Sequence, residues 1–290
     1  MPGANDAAGA GGMAIFFTLS GFLITRFLWE RPRAKPFLIR RVMRILPLAW
    51  LAMLILFFAE GANRSVTELL ANALFYMNFP PLLLMEGSAH LKILAKEMQL
   101  YFVVALIAAV GGGKGLYFLP VLGLASTFAR ITARSIITWH RIDEILAGST
   151  LALLYLGAFE QRAVGGFKSL NFYAVASVAV VCTYFLHSPP AYARPYAVDA
   201  MVGVTLWSAP IWLEHIFYSR PAAYIAKIFY ALYVCHAMLQ ISWLGSGDKL
   251  EKYIKRTLLF AATWSAAHMS TYIWEQRFIR LAKVWTTKRR

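Results

Sequence analysis

The stretch Phe16-Phe17-Thr18-Leu19-Ser20-Gly21-Phe22-Leu23-Ile24-Thr25, followed by Arg40-Arg41-Val42-Met43-Arg44-Ile45-Leu46-Pro47, decides the fold. The first half is an apolar run broken only by small and hydroxyl residues. Its Ser20-Gly21 step suits the close approach of a second helix, because small residues let backbones touch where lipid supplies no hydrophobic drive. The second half sets three arginines at the mouth of the next apolar run.

The rest of the chain repeats this pattern of apolar runs and basic joints. Of its 290 residues, 59% are hydrophobic and only 15% charged, with mean hydropathy +0.56. A soluble domain carries about 25% charged residues. The apolar runs reach roughly 17–21 residues, enough to cross about 30 Å of hydrocarbon. Period-2 alternation is missing, so the expected fold class is all-α, a polytopic membrane helix bundle rather than a barrel. Nine spans are expected, at about 13–29, 45–59, 98–113, 116–129, 142–159, 170–187, 196–213, 223–243 and 257–274. Segment 69–85 is apolar but interrupted by Asn72, Asn78 and Pro80-Pro81, and reads as re-entrant or interfacial. Residues 1–12 read as a disordered Gly/Ala-rich stub, 13–280 as a single membrane domain, and 281–290 as a basic tail. No cleavable signal is expected, since no basic region precedes Met13 and no small-residue cleavage site follows Trp29. Cys182 and Cys235 lie inside apolar runs and read as buried thiols, not a disulfide framework.

The net charge of +15 points to membrane orientation, not to nucleic acid, because the cations sit in the joints between spans. Region 26–44 carries seven cations (Arg26, Arg31, Arg33, Lys35, Arg40, Arg41, Arg44) against Glu30 alone, which marks it as cytoplasmic. The C-terminal tail, with Arg277, Arg280, Lys283, Lys288, Arg289 and Arg290, is assigned to the same side. Two loops run against the rule in this arrangement. One holds Arg130, Arg134 and Arg141; the other follows Trp243 and holds Lys249, Lys252, Lys255 and Arg256 against Asp248 and Glu251.

Ionisable side chains in spans are expensive and tend to face a cavity. Arg40 and Arg44 share a helix face, with Arg41 beside them, and guanidinium forks suit phosphate oxygens. The same arginines also fit a topology signal that touches lipid headgroups. Glu97 and Tyr101 stand i, i+4 at the start of a span. Lys92 and Lys96 are alternative partners for Glu97. Asp143 follows Arg141 at the start of another span, where a helix dipole alone favours a carboxylate. Phe229, Tyr233, His236 and Gln240 line one face of the 223–243 run. In the last run Trp264, His268, Thr271 or Tyr272, and Glu275 share a face. Metal-ligand spacing, a P-loop, a dinucleotide fingerprint and a nucleophile elbow are all missing from the sequence.

These elements together resemble the membrane acyltransferase-3 family, whose members acylate envelope polymers of bacteria. Phe16–Thr25 with Arg40–Pro47 is similar to its "FFxLSGFLI … RRxxRIxP" signature. His90, Leu94, Glu97, Gln99 and Tyr101 match "HxWSLxxExQFY", with Lys92 where the family usually has Trp. Arg141-Ile142-Asp143 with Gly148 is similar to "RxD…LG". Tyr230–His236 looks like "SYxLYLxH", and Trp274–Phe278 is loosely like the closing "xExPxR".

The resemblance implies acyl transfer from a cytoplasmic acyl-CoA, acetyl-CoA in the first instance, to a hydroxyl of an envelope, exported or lipid-linked saccharide. No bound cofactor is expected, and the setting is the bacterial inner membrane with a cytoplasmic C-terminus. It further implies that Arg40, Arg41 and Arg44 bind the acyl-CoA, that His236 and Glu97 are catalytic, and that Asp143, Tyr233 and Glu275 bind substrate. The family carries its usual base on a helix ahead of the opening motif. That helix has no counterpart before Gly12, so an inactive product or an upstream start is expected, and His236 is the base if one remains. A transporter or flippase for a saccharide or lipid-linked substrate is the alternative.

Overall fold

The computed structural model describes residues 4–59, 65–79, 83, 88, 90–132, 142–159, 161–185 and 190–287, without the side chains of 4–6 and 161–164. Among them every regular element is a helix. In chain order these are α1 (Ala4–Glu30), α2 (Ala34–Ala59), α3 (Val66–Ala73), α4 (Leu91–Gly115), a 3₁₀ turn (Leu116–Phe118), α5 (Leu119–Thr132), α6 (Asp143–Tyr155), α7 (Gln161–Ser169), α8 (Phe172–Tyr184), α9 (Pro190–Ser208), α10 (Ile211–Phe217), α11 (Arg220–Ile241), α12 (Lys249–Met269), a π-helical turn (Ser270–Glu275) and α13 (Gln276–Thr287).

Four helical stretches are long and apolar enough to cross a membrane: Ala7–Glu30, Ala34–Ala59, Leu91–Thr132 and Arg220–Ile241. A fifth is present if α9 and α10, bent by 93°, count as one broken span. The stretch Leu91–Thr132 has 42 residues, about 63 Å of helix, twice what one span needs. Its corner is Gly112, at φ 60°, ψ −155°, a conformation that favours glycine. The expected turn at Gly111-Gly112-Gly113 is therefore there.

Other expected spans are revised. Helix α6 has 13 residues, about 20 Å, and almost all of its side chains are buried. A helix apolar all round is a core helix, which is why 142–159 reads as a span. Gly157, at φ 72°, closes its end, with Ala158 N–H donating to the Leu153 carbonyl. Helix α12 begins at Lys249 with a charged first turn, eight residues before the expected edge. The Gly/Ala-rich N-terminal stretch is helical from Ala4, continuous with α1. Its Ala7, Ala10 and Ala14 are buried, and Gly11 lies close to Thr183 of α8. The small residues serve packing there.

The helices gather into two compact units where a single domain is expected. Unit 1 comprises Met1–Ala34 and Leu100–His215; unit 2 comprises Lys35–Gln99 and Ile216–Arg290. Unit 1 is built round α6. Gly21 of α1 abuts the Ile145 carbonyl, and Gly148 of α6 abuts the Thr18 carbonyl, so the two backbones cross in contact. Phe22, Leu151, Ala152 and Val202 fill one side of this crossing, while Ala14, Ala179 and Val198 knit α1, α8 and α9. The Ser20-Gly21 step thus does what its small residues suggest.

The core of unit 2 is Leu48 and Ala52 of α2, Ala231 and Val234 of α11, and Ala267 of α12. Many large side chains in both units stay exposed, among them Phe58, Val110 and Phe128. That is the surface of a lipid-facing helix, where apolar exposure carries no penalty. Cys182 and Cys235 are free thiols.

Candidate functional site

Unit 2 draws together side chains from four separated stretches of sequence. Helix α2 supplies the arginines. Arg40 and Arg44 are exposed on one face, and Arg40 Nε donates to Thr286 Oγ1 of α13 at 3.0 Å. Arg41 turns aside, half-buried, with its guanidinium 5.6 Å from the Phe37 ring centre. The phosphate-ready pair is therefore Arg40 and Arg44, without Arg41.

Helix α11 supplies two tyrosines one turn apart. Tyr230 donates its hydroxyl to the Ile45 carbonyl at 2.7 Å, and Tyr233 donates to the His90 carbonyl at 2.6 Å. The His90 ring meets the Tyr233 ring edge to face at 6.0 Å. Helix α4 brings Lys96 and Glu97, both almost wholly buried. Glu97 is near enough for its charge to act on both tyrosines.

The fourth contribution is Glu275, in the π-helical turn. It is buried, and Ser270 and Thr271 each donate a hydroxyl to its Oε1 at 3.3 Å. Arg44 and Glu275 interact electrostatically, and the charge of Glu275 reaches Tyr230. The wide turn explains a departure from the expected helix face. Buried positions run Thr263, Ala267, Thr271, Glu275 at four-residue steps, too wide for a straight α-helix at 3.6 residues per turn. Trp264, His268 and Tyr272 instead form an exposed aromatic row with Tyr224, whose hydroxyl lies 2.8 Å from His268 Nδ1. Single π turns of this kind recur at functional sites.

Segment 69–85 walls this region as α3 followed by irregular backbone. Polar side chains cover the freed backbone groups. Gln99 Nε2 donates to the Phe75 carbonyl at 2.6 Å and pairs with Asn78, and Asn72 donates to the carbonyls of Glu68 and Leu83. Phe75 is held at φ 58°, a strained value for a bulky residue. The membrane placement of the segment aside, its asparagines meet the requirement that broke it out of the span pattern.

Two expected site residues lie apart from this cluster. His236 is exposed and makes no hydrogen bond, ion pair or ring contact with a described residue. Nothing in unit 2 orients it as a base, whereas His90 stands inside the cluster. Asp143 belongs to unit 1, where Arg130 Nη2 lies 2.7 Å from its Oδ2 with both side chains buried. Thr127 also donates to Oδ2, and the backbone N–H of Glu144 donates to Oδ1. Beside it Arg194 grips Glu144 at 2.8 Å. Asp143 is thus tied into a doubled ion pair joining α5, α6 and α9, a structural role. Its expected neighbour Arg141 lies outside the described residues.

Sequence reasoning missed His90, Tyr230 and the partners Arg130, Glu144 and Arg194. The signal for His90 was its place in the motif beside Glu97; Arg130 and Arg194 gave none, being far from their acids in sequence. Among the described residues no group of three His, Cys, Asp or Glu is placed to hold a metal ion. No family model, no curated protein and no solved structure matches this chain.

Proposed function

We propose that this chain is an integral membrane O-acyltransferase of the acyltransferase-3 type, moving an acyl group, acetyl in the simplest case, from acyl-CoA to a saccharide hydroxyl. The setting is a bacterial inner membrane crossed nine times, with region 26–44 and the C-terminus cytoplasmic. The observation that carries this reading is the gathering of Arg40, Arg44, His90, Glu97, Tyr233 and Glu275 in unit 2. The motif resemblance had picked out five of those six positions as site residues.

In this scheme Arg40 and Arg44 take phosphate oxygens of the acyl-CoA through their guanidinium forks. The His90 imidazole accepts the proton of the saccharide hydroxyl. The freed oxygen attacks the thioester carbonyl carbon, the C–S bond breaks, and the departing thiolate takes the proton back from the imidazolium. Glu97 steadies the imidazolium charge, while Tyr233 and Glu275 border the acceptor. The products are an O-acyl saccharide and free CoA thiol. The test is transfer of labelled acetyl from acetyl-CoA to envelope saccharide in vesicles holding the purified chain. Ester-linked label supports the reading; its absence, with label recovered wholly in acetyl-CoA, refutes it.

A second reading is a transporter or flippase. It is favoured by two broken helical segments, α3 with its irregular continuation and the bent pair α9–α10. Saccharide that crosses the vesicle membrane unmodified would select it.

A further inference from the structure

A cavity of about 300 Å³ opens between the end of α11 and the start of α12 within unit 2. Gln240, Leu244, Lys249, Lys252, Tyr253 and Arg256 are among its walls. Lys249, Lys252 and Arg256 follow i, i+3, i+7, one face of α12, with Tyr253 between them. The turn that leads into it depends on Gly245, where a Cβ would overlap the Gln240 carbonyl.

The acids nearby are committed elsewhere. Asp248 Oδ1 caps α12 by accepting from the Glu251 N–H at 2.8 Å. Glu251 pairs with Lys255, whose ammonium holds the carboxyl below its ordinary range. Lys255 in turn donates to the Trp243 carbonyl and lies over the Trp243 ring. That leaves three cations on one cavity wall with no carboxylate within ion-pair distance among the described residues. Below them the wall turns apolar at Leu259, and Ile254 and Leu258 on the same helix are exposed.

Charge uncompensated at one end and grease at the other is the chemistry of an anionic amphiphile. The cavity also lies far from Arg44. Along α12 and its π turn, Lys252 to Glu275 spans about 35 Å of helix, the thickness of a bilayer core. In the proposed orientation this puts the cavity outside, where the positive-inside rule leaves such a cluster without a reason.

We propose that this cavity binds the phosphate of a lipid, with Lys249, Lys252 and Arg256 on its oxygens and the acyl or prenyl chain running down the apolar side of α12. The lipid phosphate has two sources, a bulk anionic phospholipid or a lipid-linked saccharide. The outward placement rests on the proposed orientation; the cavity and its charges do not. The test is native mass spectrometry of the full chain in detergent with phosphatidylglycerol, phosphatidylcholine or polyprenyl pyrophosphate added. The expected result is selective retention of the anionic lipids, weakened roughly 30-fold in K252Q/R256Q. Both side chains are exposed, so the variant should keep its elution profile on size exclusion. Preference for polyprenyl pyrophosphate names a lipid-linked saccharide as the source, and preference for phosphatidylglycerol names bulk lipid. Equal retention by wild type and variant, or of phosphatidylcholine and phosphatidylglycerol, overturns the proposal. The readout is lipid retention, so its failure is distinct from failure of acyl transfer.

Discussion

Gly148 of α6 lies so close to Thr18 of α1 that a Cβ at Gly148 would overlap the Thr18 carbonyl oxygen. The Gly21–Ile145 contact repeats the relation from the other helix. Gly148→Ala should therefore force the helices apart, at about 1–3 kcal/mol, outweighing the gain of about 1 kcal/mol from alanine's helix propensity. Gly21→Ala should act alike, and the double variant should lose less than the sum, because both disturb one crossing. Thermal unfolding in detergent measures this; an unchanged midpoint for Gly148→Ala would show that the crossing yields freely.

Arg130→Gln and Asp143→Asn should each be more damaging than any surface change. Each leaves a buried charge without its partner, an effect of about 3–5 kcal/mol. Replacing both, as Arg130→Met with Asp143→Leu, should recover most of that loss. Chemical or thermal unfolding of the three variants decides it. A double variant as unstable as the singles added together would mean that the pair itself is not the source.

Arg44→Ala should weaken acyl-CoA binding, and Arg44→Lys should restore only part of it. A point charge replaces the electrostatic interaction with Glu275 but not the two-pronged grip on phosphate. Acyl-CoA affinity at fixed salt is the measurement. Equal affinity of wild type and the alanine variant would leave the arginines as topology signals.

His90→Ala should lower acyl transfer about 10²–10⁴-fold, whereas His236→Ala should change it little. The reason is position: His90 meets Tyr233, and His236 is exposed. Transfer rates of the two variants, normalised to folded protein, discriminate them. The reverse ranking would return the base to His236.

Orientation is checked with single cysteines at Arg33 and Lys249, in a background without Cys182 and Cys235. An impermeant reagent should label position 249 in intact cells and position 33 only after permeabilisation. Equal labelling would mean that the number of crossings between them is even.

The helical class, the basic joints and the Ser20-Gly21 contact were all legible in the sequence, because each depends on residues adjacent in the chain. Span lengths were less so: apolarity runs on through α6 whether its neighbours are lipid or protein. The pairing of Arg130 with Asp143, and of Arg194 with Glu144, depends on which helices pack together, and local pattern is blind to that. Arg44, Glu97, Tyr233 and Glu275 were found through motif resemblance. His236 was misjudged because a helical wheel shows which residues share a face but not what that face meets.

The π turn at Ser270–Glu275 is one residue of slack wound into a helix. Were a single residue deleted between Ser270 and Trp274, the helix would close up without a break, yet everything after it would swing by about 100°. Arg277, Arg280 and Thr286 would leave their bearings, and Arg40 would lose its hydroxyl partner. This short segment should thus accept exchange of one side chain for another far more readily than any change in its length.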